Sequence, residues 1–212
     1  MSGPADFGPP GAILLARHGK PALSRKVRLN SAEYRAWWAR YEVGGLQADQ
    51  TPPETLLAAA RAAGAIVAST RRRSVESALA AAPGRQFIQD ADLIEAPLPP
   101  PNWPAAVKLS PILWGFFARV GWWFLNQHQG EETRAQAEKR AEAAATRLIR
   151  LARGGEDVLV LAHGFFNTMV GRVLIARGWR CVDDGGYRYW AIRRFEAPRP
   201  RPSALPPAAT VG

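Results

Sequence analysis

The sequence predicts an α/β domain built around a parallel sheet, and three observations carry that expectation. Short apolar runs occur at Ala12 to Arg17 (AILLAR), Ala65 to Ser69 (AIVAS) and Val158 to Ala162 (VLVLA), the pattern of strands buried on both faces. Helical periodicity fills the intervals between them, and such alternation of strand and helix is the signature of a parallel sheet. The chain of 212 residues, 47% hydrophobic and 22% charged, suits one packed domain and excludes chain-wide disorder, a collagen-like repeat and a coiled coil.

The elements follow in order. After the first strand, Ser31 is placed to cap a helix carrying Tyr34, Trp37, Trp38 and Tyr41, stopped by Gly44 and Gly45. Thr51 and Pro53 open a second helix through Leu56, Leu57 and Ala60 that stops at Gly64. The strand from Ala65 leads into a helix over Arg72 to Ala82 and a third extended run, Gln86 to Leu93. Prolines at 97, 99, 100, 101 and 104, followed by the Trp- and Phe-rich stretch Pro111 to Leu125, then break the rhythm. Residues 96–130 therefore read as a lid inserted over the sheet. Glu131 to Arg153, rich in Ala, Glu and Arg and free of Gly and Pro, is the clearest helix. The strand from Val158 runs through His163 and Gly164 into a helix ending near Arg177, and Tyr187 to Phe195 alternates like a last strand. Residues 1–196 thus form one domain, and 197–212, with five prolines and no periodicity, read as a disordered tail.

Composition narrows the partners. The 28 basic and 18 acidic residues give a net charge of +10, and lysine occupies only positions 20, 26, 108 and 139, so the surface attracts anions chiefly through arginine. The basic residues are scattered and no zinc-finger, RNP or helix-turn-helix signature appears, which argues against specific nucleic-acid binding. A small phosphorylated substrate suits the guanidinium fork equally well. Cys181 is the lone cysteine; it closes no intramolecular disulfide and has no metal-binding spacing around it, and a cytoplasmic location is expected. No signal-peptide pattern opens the chain. Pro111 to Leu125 is shorter than the roughly 20 residues that span a bilayer and is interrupted by Arg119, so no transmembrane segment is expected; a buried helix, a lid or a place on a membrane surface all fit it. The sequence assigns no oligomeric state.

Of three histidines, His18 and His163 stand alike: each follows a short apolar strand and precedes a glycine. In open α/β sheets the carboxyl ends of neighbouring strands line the ligand crevice. Both imidazoles are thus expected there, with the glycines leaving room for a ligand against the backbone.

These residues resemble the histidine phosphatase superfamily, also called phosphoglycerate-mutase-like. Arg17, His18 and Gly19 match its RHG signature, and Ser69 to Ala78 (STRRRSVESA) is similar to its segment of Ser, Arg and a helix ending in Thr-Ala. Leu93 to Glu95 is similar to its Leu-x-Glu, Val158 to Gly164 to its strand ending in His-Gly, and Gly130-Glu131 to a Gly-Glu-Ser turn with Glu132 in place of the Ser. The resemblance implies a three-layer α/β/α sandwich with a mostly parallel sheet and an inserted helical lid. It implies that His18 is a nucleophile forming a phosphohistidine, with Arg17, Arg73 and His163 around the phosphoryl group, and Glu95 as general acid. Arg73 follows from aligning Ser77-Ala78 with Thr-Ala; a slip of one residue selects Arg72. Neither a metal nor a cofactor is implied. The mutases continue RHG with Glu-Ser and then Trp-Asn, whereas Lys20, Pro21, Ala22, Leu23 and Ser24 follow here. That departure favours a phosphatase over a phosphomutase and leaves Ser24 where the Asn would donate to phosphate; Lys20, Arg25, Lys26 and Arg28 read as a solvated basic loop, or else as holders of a second anionic group. The remaining alternative is a non-catalytic protein that retains an anion pocket.

Overall fold

The computed structural model describes residues 9–198. Thirteen-residue helix α1 (Ser31–Val43) follows strand β1 (Ile13–Arg17), and α2 (Glu54–Ala62) leads into β2 (Ala65–Ser69). Helix α3 (Arg72–Ala81) and β3 (Ile88–Asp90) come next, then α4 (Pro111–Leu125) and α5 (Arg134–Ala152). Strand β4 (Val158–Ala162), α6 (Gly164–Ala176), β5 (Arg180–Asp184) and β6 (Ile192–Glu196) complete the order.

The six strands form one sheet in the order β3-β2-β4-β1-β6-β5. Only β6 runs against its neighbours, β1 and β5, so the sheet is mostly parallel, as expected. Side chains alternate across it. Ile13, Leu15, Val158 and Val160 face α5 and α6 in one apolar cluster with Leu148, Phe166 and Phe195. Leu14, Ala16, Leu159 and Leu161 face α2 and α3 in another, with Leu56, Ala60 and Ala78. Two helical layers flank a two-faced sheet, the arrangement that lets near-continuous apolar strands bury both sides.

A third cluster, Tyr34, Trp37, Tyr41 and Trp114, joins α1 to α4. The expected insertion over 96–130 therefore carries a single helix, and that helix leans on α1 through Trp114 and joins the main core through Trp122. Trp114 is fully buried and its indole N–H donates to the Leu29 carbonyl at 2.6 Å. Leu29 also pairs with Leu109 in an isolated antiparallel bridge, which ties the loop after β1 to the start of α4.

Several boundaries move for local reasons. Asn30, not Ser31, caps α1: its side chain accepts from Glu33 N at 3.0 Å while Glu33 Oε2 accepts from Asn30 N at 2.8 Å, a reciprocal capping box. The freed Ser31 hydroxyl donates to the Pro101 carbonyl at 2.9 Å. Helix α5 begins at Arg134 because Thr133 and Gln136 form the same box. The third extended run shrinks to β3, since the Asp90 carboxylate turns back to Asp92 N and a single 3-10 turn follows. Tyr187 to Ala191 is a turn rather than strand, with Trp190 at φ +66, and β5 was not expected. Ala197 packs against the core; residues 199–212, most of the expected tail, lie outside the described residues.

Candidate active site

Sheet register brings the two histidines together. Strands β1 and β4 pair in parallel with Arg17 opposite Ala162, so the next residue on each strand, His18 and His163, leaves the sheet side by side. Their ring centroids are 5.2 Å apart. His18 N continues the ladder by donating to the Ala162 carbonyl at 2.9 Å. Strand β2, the other neighbour of β4, delivers α3 to the same edge, and with it Arg73.

The glycine after each histidine serves packing within the protein. A Cβ on Gly19 would lie 2.2 Å from Cζ2 of Trp190, and one on Gly164 would lie 3.3 Å from Nε of Arg17. The space expected for a ligand is thus filled by an indole in one case and by a guanidinium stem in the other. Gly19 N donates to the Ser77 hydroxyl at 2.9 Å, and that hydroxyl donates to the Arg73 carbonyl at 2.6 Å. Ser77 therefore locks the His18 loop to the turn of α3 that carries Arg73.

Arg73 is wholly buried and spends all five of its N–H donors. Nε donates to His18 Nε2 at 3.3 Å and Nη2 to His163 Nδ1 at 3.2 Å. Nη1 donates to the carbonyls of Tyr41 and Glu42 at 3.0 and 3.2 Å, and Nη2 also to Glu42 Oε1 at 2.8 Å. The other Glu42 oxygen pairs with Arg71 at 2.8 Å. Arg72, the alternative register, points to solvent and pairs with Glu76.

These contacts assign both imidazole tautomers. A guanidinium only donates, so the ring nitrogens facing Arg73 are acceptors. His18 accordingly carries its proton on Nδ1, which donates to the Gly19 carbonyl at 2.6 Å, and presents the Nε2 lone pair. His163 carries its proton on Nε2, 3.0 Å from the Ser69 hydroxyl. Burial, then Arg73 and Arg17, hold the His18 pKa well below the ordinary 6.5. Burial, then Arg73, His18, Arg71 and Arg17, do the same to His163. Both rings are neutral, and His163 meets Arg73 as an acceptor.

A cleft of about 510 Å³ opens on these groups, lined by Arg17, Arg25, Arg73 and Arg119, both histidines, Glu95 and an aromatic wall from α1 and α4. Arg17 lies 4.4 Å from the Tyr189 ring centroid and donates through Nη1 to the Tyr187 carbonyl. Arg25 donates to the Tyr41 hydroxyl at 2.8 Å. The Nε donors of Arg17 and Arg25 are buried and have no partner among the described residues. Arg119 stacks 3.7 Å from the Phe165 ring centroid, and burial brings its pKa down to about 10 against the opposing pull of Glu95 and Tyr34. Among the described residues no group of three or more His, Cys, Asp or Glu could hold a metal ion.

Glu95 stands at the mouth of α6. Its carboxylate accepts from Phe166 N at 3.0 Å, Phe165 N at 3.3 Å and Ala96 N at 3.1 Å, so the first turn of α6, which His163 leaves without a side-chain cap, finds its acceptor there. Ser24 is not brought in: it is exposed, its hydroxyl accepts from Lys26 N, and its neighbour Arg25 faces the cleft instead. Lys20 is exposed with its backbone tied to Gln50. Glu131 lines an adjoining cavity of about 600 Å³ beside Glu42, with its pKa raised by burial and then by Glu42. Sequence reading missed Tyr41, Glu42, Tyr189 and Arg119; the first two sit on α1, where only its aromatic periodicity was noted, and nothing local links them to Arg73.

The family model described as histidine phosphatase superfamily (branch 1) matches residues 13–196. No curated protein matches the sequence. Among solved structures, the fold is similar to phosphoglycerate mutase from Bacillus anthracis, at 16% identity and TM-score 0.53, covering 80% of this chain and 82% of that one. It is also similar to a mutant of phosphoserine phosphatase from Entamoeba histolytica in complex with phosphoserine, at 13% identity and TM-score 0.50, covering 88% and 96% of the two chains. A mycobacterial glucosyl-3-phosphoglycerate phosphatase gives 17% identity and TM-score 0.50 over 78% and 82%.

The neutral rings have a direct readout. Unfolded imidazoles take up protons as pH falls through about 6.5, and rings held at depressed pKa do not, so the folded state loses stability on acidification across that window. In a histidine side-chain NMR titration, His18 and His163 are expected to keep neutral-imidazole shifts at pH 6. A titration of either ring with a midpoint at or above 6.5 would contradict the arrangement.

Proposed function

The chain belongs to the histidine phosphatase superfamily, and on that premise we propose that it is a metal-independent phosphomonoesterase working through a phosphohistidine at His18 on a small phosphorylated substrate. The observation that carries this reading is the Nε2 lone pair of His18, kept unprotonated by the Nδ1–H bond to Gly19 and held by the Arg73 Nε–H in the lining of the cleft. A neutral imidazole is a ready nucleophile near pH 7, and a covalent intermediate splits one difficult displacement into two easier ones.

In the first step Nε2 bonds to phosphorus while the bond from phosphorus to the leaving oxygen breaks. Charge spread over the equatorial oxygens needs fixed cationic donors. Arg17 and Arg25 bring their unspent Nε–H groups, and Arg73 exchanges its contacts to the two imidazoles for phosphoryl oxygens. His163 acts through Arg73, as a positioning residue. The leaving oxygen takes its proton from Glu95. That carboxyl meets its three backbone partners as an acceptor, so it must first gain a proton, and a phosphomonoester monoanion, with a second pKa near 6, carries one in. In the second step Glu95 takes a proton from the water that attacks phosphorus, the phosphorus–Nε2 bond breaks, and inorganic phosphate leaves.

Phosphatase is preferred to phosphomutase because the residues after Gly19 depart from the mutase pattern. It is preferred to an anion-binding role because nucleophile, carboxylate and arginines share one cleft.

Hydrolysis of p-nitrophenyl phosphate is expected to survive exhaustive chelation and to be abolished in His18→Ala with the fold retained. Activity lost to chelator and restored by magnesium, or full activity in the variant, would reject the reading. Followed in single turnovers, Glu95→Gln is expected to slow phosphoenzyme formation from alkyl phosphates by roughly 10²- to 10⁴-fold and from aryl phosphates far less, because an alkoxide needs the proton and a nitrophenolate does not. Equal losses for both would remove Glu95 as the acid.

A further inference from the structure

Helix α4 is apolar on both faces, and only one of them is covered. Pro111, Trp114, Ala118, Gly121 and Trp122 are buried. On the opposite side Ile112, Phe116, Val120 and Phe124 recur every fourth residue and are exposed, Phe124 at 74%, with Leu113 and Leu125 beside them. A four-residue spacing is a stripe along one helix face, and soluble surfaces rarely leave such a stripe bare without use. Fifteen residues rise about 22 Å at 1.5 Å each, and no helix among the described residues is long and apolar enough to cross a membrane.

Charge in the two segments that meet at the head of the stripe is one-sided, with Glu33 of α1 the first acidic residue after the earlier of them. No Asp or Glu occurs from Arg17 through Ser31 or from Ala96 through Gly130. The Leu29–Leu109 bridge sets these two acid-free segments edge to edge, which places exposed Lys26 and Arg28 by exposed Lys108, just ahead of α4. Exposed Val27 and Trp103 extend the apolar surface at that end. Two copies of this face would bring like charges together, whereas an anionic surface would neutralise them.

We infer that the exposed face of α4, with Lys26, Arg28 and Lys108 at its edge, is an interfacial surface that seats on an anionic lipid bilayer. Apolar side chains enter the boundary between head groups and acyl chains, and the lysines and arginine meet the lipid phosphates. The seat has a consequence for the cleft, because Ile112 and Phe116 belong both to the exposed stripe and to its wall. A bilayer on α4 therefore lies at the cleft mouth. The inference rests on the surface, and holds whether or not the phosphatase reading does.

Phe124 and Leu125 lie off the cleft lining, so the double variant Phe124→Ser, Leu125→Ser separates docking from chemistry. Wild-type protein is expected to co-sediment with vesicles of phosphatidylcholine and phosphatidylglycerol, less with phosphatidylcholine alone, and less again in high salt. The variant is expected to lose vesicle affinity by roughly tenfold or more, since each side chain withdrawn from lipid forfeits apolar burial, while keeping wild-type turnover of p-nitrophenyl phosphate. Wild type that stays in the supernatant with every vesicle, or a variant that sediments like wild type, would overturn the inference. So would a vesicle-free dimer that the variant dissociates, since the face would then belong to a second copy. Absence of p-nitrophenyl phosphate turnover in a wild type that binds vesicles would count against the phosphatase reading alone.

Discussion

The whole arrangement hangs on a cation buried beneath the cleft. Removing a guanidinium from water costs several kcal/mol even after relaxation, and Arg73 meets that cost only by placing every N–H on an acceptor. Those acceptors come from three parts of the chain: the C-terminal turn of α1, the loop after β1 and the end of β4. One buried charge thereby dictates where α1 lies, which tautomer each imidazole adopts and where the Glu42 carboxylate sits. Truncating any partner leaves a buried charge short of a donor–acceptor pair, which costs more than the pair contributes.

From this constraint the cleft acquires its two characters. Its floor is strongly cationic: Arg17, Arg25 and Arg119 line it with the histidines, opposed by Glu95 in the same lining and by Glu42, which pairs with Arg71 and Arg73. Its wall is aromatic, because α1 must come close enough for the Tyr41 and Glu42 carbonyls to reach Arg73, and the rest of α1 then packs Tyr34 and Trp37 against Trp114 of α4. The position of α4 is thus a downstream effect of Arg73, and so is the exposure of its outer stripe at the cleft mouth.

Much of this was legible in the sequence, and for identifiable reasons. The central strands β1, β2 and β4 announce themselves because burial on both faces forces uninterrupted apolar runs, and parallel register then makes His18 and His163 neighbours without further information. Arg73 was reachable through the resemblance of Ser77-Ala78 to Thr-Ala, and the structure shows the Ser77 hydroxyl tying that turn to Gly19. What stayed hidden depends on pairings across long stretches of chain. Glu42 lies 31 residues from Arg73 on a helix whose local pattern explains only its aromatics. Ser24 and Arg25 differ by one position in an irregular loop, where no periodicity says which side chain turns inward. Strand β5, an exposed edge strand reading RCVDD, has no apolar run to betray it, and the turn carrying Tyr187 and Tyr189 imitated strand alternation while Trp190 adopted a left-handed backbone.

The central claim is that Arg73 and Gly19 together leave Nε2 of His18 as the nucleophilic atom. Alkaline quenching of the protein within one turnover of a radiolabelled phosphomonoester, followed by peptide mapping, tests it most directly. The account predicts an acid-labile label on His18 with phosphorus bonded to Nε2, because Nδ1 is occupied by its bond to the Gly19 carbonyl. Label at Nδ1, label on another residue, or turnover with no labelled protein would contradict it.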